Sequence, residues 1–365
     1  MKKIKIDIPF LISLIILCVF GFLIFSSASL GLLSKHSVKY ANVAFNQTFF
    51  GLFLGSIACF VTYKIPYTFY RKYAFFIFLT AIFLTLLVFV PKIGLEHGGA
   101  RRWVSLGPIS FQPSEILRFG YIVYLCAWIS GVKEKVKTIS YGLLPFGIIT
   151  SILSVILLLQ PDTDTLATAL AAGLSILFVS GVRYRDLFIL LIIAILSVGF
   201  VIHSRPYIAN RINTFLNPEK NALTSGYQIQ KSLVAIGSGG LYGRGFGQSV
   251  QKFNSLPEPI GDSIFAVYAE EFGFLGSIFL ILLFIFFAFR GLKIAQNSDD
   301  TFARLMSVGI VILLISQSFV NIGSMIGILP LSGITLPFVS HGGTSLFMAL
   351  AQSGIILNIS KKNKK

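Results

Sequence analysis

The sequence predicts an all-α integral membrane protein with ten transmembrane helices, a large folded extracytoplasmic loop before the eighth helix, and both termini in the cytoplasm. Three observations predict it. Of 365 residues, 55% are apolar and only 12% charged, roughly half the charged share of a soluble domain. Mean hydropathy is +0.82. Ten apolar runs each approach the roughly 20 residues that a helix needs to cross a bilayer core of about 30 Å. They are too long and too continuously apolar for barrel strands, and backbone groups in lipid must bond internally, so helices are the economical solution.

In order, the runs cover 8–31, 44–63, 73–91, 114–131, 141–160, 164–181, 187–203, 263–289, 305–328 and 337–359. With the N-terminus inside, every cytoplasmic segment is basic: Lys2, Lys3 and Lys5; Lys64, Arg71 and Lys72; Lys133, Lys135 and Lys137; Arg183 and Arg185; Arg290, Lys293 and Arg304; and Lys361, Lys362, Lys364 and Lys365. Short basic loops set orientation, so the net charge of +16 is read as membrane anchoring and not as nucleic-acid binding. The first run is longer than a signal-peptide core, and its removal would spoil this pattern. Cys18, Cys59 and Cys126 lie singly in apolar runs and read as small buried hydrophobes without a disulfide or zinc spacing. The chain 1–365 is therefore expected to be one polytopic domain, with 204–262 as its large outer loop.

The remaining cations are not explained by anchoring. Lys35, Lys39, Lys92, Arg101, Arg102, Arg205, Arg211, Lys220, Lys231, Arg244 and Lys252 fall outside, and Arg118 lies just within the fourth run. Glu115, Asp162, Asp164, Asp262, Glu270 and Glu271 sit at or just inside the outer ends of runs, where ionisable groups are costly and usually functional. An outward-facing polar site is implied. Loop 204–262 carries Tyr207, Phe215, Tyr227, Tyr242, Phe246 and Phe253, with its glycines gathered in GSGGLYGRGFGQS, a composition for a folded cap rather than a flexible linker. The glycines lack a G-x-G-x-x-G frame and a following Lys-Ser/Thr, so a nucleotide loop is excluded, while an approach to a lipid-linked phosphate stays open beside simple turns.

Asp262, after Pro257 and Pro259, reads equally as a helix cap and as a catalytic carboxylate. At least one of Glu270 and Glu271 needs a cation or polar partner from another helix. Glu115 and Arg118 share a helix face at i and i+3, with Arg101 and Arg102 near enough to hold an anion and Trp103 as an interfacial anchor. Asp162 and Asp164 favour helix capping over a metal. The stretch 328–345, broken by Pro330, Gly333, Pro337 and Gly342-Gly343, reads as irregular backbone lining a cavity. His36, His97, His203 and His341 show no ligand spacing, and no metal is assigned to them.

GARRW with QPSE, LLQPD, AIGSGGLYGRGFGQS, LPEP-x-x-D-x-IFAV with EE-x-G, and ILP-x-SG-x-x-LPF-x-S-x-GG-x-S together resemble the SEDS family (shape, elongation, division and sporulation) over essentially the whole chain. The phrases KFNSLPEP, DSIFAVYAEE and LPFVSHGGTS lean toward its division branch, with the elongation branch second. The resemblance implies a peptidoglycan glycosyltransferase that polymerises lipid II into glycan strands on the outer face of the cytoplasmic membrane, for septal wall synthesis. It also implies a class B penicillin-binding transpeptidase and other divisome proteins as partners. By the same resemblance the catalytic aspartate falls on Asp262, and the conserved Glu and basic pair fall on Glu115 and Arg118, where Lys is more usual. Gln112 of QPSE, Glu258 of LPEP and Ser340 of the S-x-GG phrase are carried over as substrate-binding residues. Asp164 stands where the family phrase has Gly, and His341 where it has Tyr.

The chemistry so implied needs a base for the acceptor hydroxyl and positive charge for the departing undecaprenyl pyrophosphate. Asp262 is the expected base for an inverting transfer. Arg101, Arg102, Arg118, Arg211 and Lys252 are the expected phosphate-holding cations, with a divalent cation (Mg or Mn) as an optional aid. A lipid II transporter is the main rival, but it calls for charge at the bilayer midplane and on the inner side. A scaffold that only recruits the transpeptidase is the third reading, and it would tolerate loss of the Asp262 carboxylate.

Overall fold

Long apolar runs leave the backbone no partner but itself, and the chain answers with helices nearly throughout. The computed structural model describes residues 6–33, 37–97, 100–106, 109–218 and 225–361. Helix α1 is Ile8–Leu33. Next, α2 (Ser37–Phe45) continues through a π-helical stretch (Asn46–Leu54) into α3 (Gly55–Lys64), followed by α4 (Tyr67–Lys72) and α5 (Ala74–Leu86). Three strands, β1 (Gly94–His97), β2 (Ala100–Leu106) and β3 (Ile109–Phe111), lead to α6 (Pro113–Val132), α7 (Leu144–Leu159), α8 (Thr163–Val179) and α9 (Tyr184–Ser204). Segment 204–262 holds α10 (Pro206–Leu216), α11 (Ser225–Ser238) and α12 (Gln251–Asn254), and the chain ends in α13 (Ile264–Gln296), α14 (Thr301–Met325) and α15 (Gly343–Ser360). Among the described residues seven helical stretches are long and apolar enough to cross a membrane, and Ala74–Phe89 and Thr163–Val179 are apolar but shorter.

Helices α14 and α15 are buried along most of their length, while α13 is buried at its start, from Ile264 to Glu271, and turns its most apolar part outward. Apolar attraction between helices is weak in lipid, so close approach relies on small residues. Gly309 of α14 lies against the side chains of Ile122 and Ile176, and Gly354 of α15 against the Cys59 carbonyl. At one end of the bundle, Asp7 pairs with Arg290 and its N–H donates to Ser360 Oγ (3.2 Å). Both ends of the described chain therefore lie together.

Three features correct the sequence reading. The fold is not purely α: β2 pairs antiparallel with β1 and β3, with Val104 opposite Gly94 on one side and Phe111 on the other. ARRWVSL buries Val104 while Arg101 stays exposed, but the neighbouring pairs Arg101-Arg102 and Trp103-Val104 break the apolar-polar alternation by which a strand is read. The last helix begins at Gly343, because Pro337 and the Gly pair keep the preceding residues out of helical geometry. Third, the run 263–289 is broken at Gly273 (φ 66°, ψ −163°). There the turn at 239–245 lies against the helix: Arg244 N–H and Gly245 N–H donate to the carbonyls of Glu270 and Glu271, and Phe274 N–H and Leu275 N–H donate to those of Gly240 and Leu241. The glycine-rich turn thus supplies the hydrogen bonds that the break in α13 loses.

A methyl on Gly273 would meet Gly243 N at 2.3 Å and Leu241 O at 2.7 Å in a left-handed backbone. Gly273→Ala is expected to cost roughly 2–4 kcal/mol from strain and overpacking, read as a lower thermal midpoint of the detergent-solubilised protein. An unchanged midpoint would show that the turn and helix are not packed together.

Candidate active site

The irregular stretch between α14 and α15 is held by polar side chains of α14 one turn apart. Asn321 Nδ2 donates to Ile334 O (2.8 Å) and to Asp262 O (2.9 Å), and Gln317 Nε2 donates to Thr335 O (2.9 Å). From the π-helical stretch, Gln47 donates to Ser340 O (3.0 Å) and accepts from Gly342 N–H (3.0 Å). Ser340 Oγ accepts from Leu336 N–H and donates to Gly261 O, both at 2.8 Å, and His341 N–H donates to Ile260 O (2.7 Å). The turn 258–263 and the stretch 329–342 therefore form one clamped unit. Ser340, expected at the substrate, is buried and instead positions the backbone before Asp262.

Asp262 stands on this unit with its carboxylate unspent. The cap position of α13 belongs to Ser263, and no described residue donates to the Asp262 side chain. A methyl built on Gly333 would lie 3.8 Å from Asp262 Oδ2 and 4.0 Å from Arg102 Nη1, so acid and guanidinium flank the same glycine. Desolvation, with the negative charges of Glu258 and Asp164, pushes the Asp262 carboxyl up to about 7 against the lowering pull of Arg211 and Arg102. Desolvation and like charge disfavour ionisation, and a carboxyl raised in this way suits general base work near neutral pH.

Around it, Arg102 on β2 is oriented by bonds to Gln160 O and Pro161 O. Arg211 on α10 makes a two-pronged bond to Asp164 (3.0 and 2.7 Å), and Asp164 also accepts from Gly333 N–H (3.2 Å). Asp164 is thus an ion-pair partner and not a cap. Asp162 likewise caps nothing: its buried carboxylate takes Ser114 Oγ (3.3 Å) and Gln112 Nε2 (3.5 Å). Gln112 is held there, and its N–H donates to Thr344 Oγ1 (3.3 Å). Glu258 is exposed without a hydrogen bond to its side chain among the described residues, and Arg101 is exposed and pairs with Glu96 (3.2 Å). Among the described residues no three acidic, histidine or cysteine side chains converge on a metal position.

Glu115 and Arg118 do form the predicted i, i+3 pair, but buried. Arg118 also donates to Thr168 Oγ1 and Gln317 Oε1, both at 3.2 Å. It therefore braces the clamping amide of Gln317 rather than facing an open cavity.

The model of the FtsW/RodA/SpoVE cell cycle proteins matches residues 8–365. The chain is 35% identical to stage V sporulation protein E of Bacillus subtilis, over 100% of this chain and 99% of that one. It is 37% identical to the probable peptidoglycan glycosyltransferase FtsW of Coxiella burnetii, over 93% and 92% of the two. A structure described as "Structural coordination of polymerization and crosslinking by a peptidoglycan synthase complex" superposes with a TM-score of 0.80 at 26% identity, covering 98% of each chain. RodA of Thermus thermophilus superposes at 0.72 with 25% identity over 100% of both. The chain belongs to the FtsW/RodA/SpoVE family, the SEDS proteins that its motifs resemble.

Gln317, Asn321 and Gln47 went unnoticed in the sequence, although carboxamides four residues apart in an apolar run are a usable signal. Lys252 is a correction. Expected among the phosphate-holding cations, it is fully buried with its ammonium donating to Glu271 Oε1 (2.6 Å), Ser27 Oγ (2.9 Å) and Gly247 O (2.9 Å). An ammonium has three donors, and all are taken. The partner anticipated for the Glu270-Glu271 pair is thus this lysine, while Glu270 takes Ser249 Oγ (2.5 Å), Val250 N–H (3.0 Å) and Arg244 (3.5 Å). Lys252→Met would strand the Glu271 charge and is expected to cost about 3–5 kcal/mol, with most of it recovered in Lys252→Met/Glu271→Gln. Thermal unfolding of both variants checks this, and equal loss in both would sink the pairing.

Proposed function

We propose that this chain is a peptidoglycan glycosyltransferase that polymerises lipid II into glycan strands on the outer face of the cytoplasmic membrane, for the septal wall. The observation that carries the reading is Asp262: a half-buried carboxylate without a hydrogen bond among the described residues, raised to about 7 and flanked by Arg102 and Arg211. The relatives named as probable peptidoglycan glycosyltransferases support the substrate class. Ten spans, both termini in the cytoplasm and the Asp262 end outside fit the ten apolar runs and the basic short loops. A class B penicillin-binding transpeptidase is the partner, supported by the similar structure from a complex that couples polymerisation to crosslinking.

In this reading Asp262 takes the proton from the acceptor's 4-hydroxyl as that oxygen attacks the anomeric carbon of the donor sugar. The bond from that carbon to the pyrophosphate breaks, its electron pair stays on the pyrophosphate oxygen, and the anomeric centre inverts. A pyrophosphate leaves without being protonated, so a single carboxylate suffices. Arg102, fixed through two of its three nitrogens, offers its third to the charge that develops on the leaving group. Glu258 is exposed beside Gly261, placed to raise Asp262 and to meet a sugar hydroxyl.

With the transpeptidase present, Asp262→Asn is expected to lower glycan-strand formation from purified lipid II by about 10²–10⁴-fold at matched expression. Equal polymer from both proteins would remove Asp262 from the mechanism, and none from either would return the transporter and scaffold readings. Only the ionised carboxylate accepts a proton, so wild-type kcat/KM is expected to climb about tenfold per pH unit below about 7 and level off above it. The residual rate of Asp262→Asn is expected to lack that step; the same step in the variant would assign it to another group.

A further inference from the structure

Arg211 and its surroundings have the donor set of a phosphate site, and a side chain of the same chain fills it. Both terminal nitrogens of Arg211 donate to the two oxygens of Asp164, and Gly333 N–H donates to the same carboxylate at 3.2 Å. Across Gly333 stands Arg102, whose Nη1 lies 4.0 Å from a methyl built on that glycine and has no hydrogen bond among the described residues. A guanidinium fork, a backbone amide and a second guanidinium form the set that holds phosphate oxygens. A carboxylate satisfies the fork in the same geometry with less charge. The pair is accessible from outside, with side-chain exposures of 22% for Arg211 and 16% for Asp164.

Asp164 also has somewhere to go. It lies in the first turn of α8, where unpaired amides and the helix dipole favour a negative charge, so a carboxylate released from Arg211 is not stranded. We propose that Arg211, Gly333 N–H and Arg102 form the site for the pyrophosphate of the sugar donor, and that Asp164 is a tethered competitor which occupies it until the pyrophosphate displaces it. The proposal deepens the reading of the chain as acting on a pyrophosphate-linked sugar, and rests on it. Asp164 closes α10 onto the edge of the Asp262 site when no donor is present, and the incoming anion opens that contact by taking over its hydrogen bonds.

The test measures affinity of the full chain in nanodiscs for inorganic pyrophosphate and for farnesyl pyrophosphate, without catalysis. Asp164→Asn is expected to bind tighter by about 3- to 10-fold, the worth of a partly exposed two-pronged pair. Arg211→Gln is expected to weaken binding, and the gain is expected to vanish in Asp164→Asn/Arg211→Gln. Should Asp164→Asn prove unstable, Asp164→Ser removes the charge with a shorter polar side chain and is expected to show the same gain. A gain with both probes places a headgroup site, and a gain with the prenyl form alone places a lipid-linked one; either supports the proposal. Unchanged or weaker binding, or a gain that survives without Arg211, overturns it. A chain that forms polymer but shows no gain loses only this site, whereas the gain without polymer keeps the site and loses the polymerase.

Discussion

Two carboxamides on one face of α14, Gln317 and Asn321, hold the irregular part of the chain in place. Between α14 and α15 the backbone cannot be helical, because Pro330, Gly333, Pro337 and Gly342 interrupt it. Buried carbonyls without helical partners are expensive at membrane depth. Gln317 and Asn321 reach the carbonyls of Thr335 and Ile334, and Asn321 reaches Asp262 O as well. One rigid helix thus satisfies the irregular backbone and fixes the turn that presents Asp262. Arg118, itself held by Glu115, orients the Gln317 amide from behind.

Charge is distributed by the same logic. Ions deep in the protein are paired: Lys252 holds Glu271 with the Ser27 hydroxyl bonded to both, and Arg118 holds Glu115 although its Nε has no partner among the described residues. Ions near the surface of the site keep unspent capacity among the described residues: Asp262 has no donor there, Glu258 is exposed, and one nitrogen of Arg102 has no hydrogen bond. That division separates the groups that build the site from those that can meet a ligand.

The helices were legible because hydropathy over about 20 residues is a strong signal for a chain that must satisfy its backbone in lipid. Asp262 and its neighbours were legible from their motifs and from costly acids at span ends. The failures share a cause. Nothing local separates Lys252 from Arg211, since both are cations in the same loop, and only the packing of the 239–252 turn against α13 buries one and leaves the other open. Ser340 sits in a motif at the site but acts on backbone, and Gly273 looks like any glycine in an apolar helix until its partner turn is seen. The strands are short, and β2 lacks the strict alternation that would mark it.

The contact between Asp7 and Ser360 joins residues 353 positions apart in the chain. On the same helix as Asp7's neighbours, Gly21 presses against the backbone of Phe338 and Val339. Helix α1 is therefore seated by segments far along the chain: α13, the irregular stretch before α15, and the end of α15. Contacts between segments so distant in the chain reward folding only after the chain between them is ordered, which makes the seating of α1 a late step in closing the bundle.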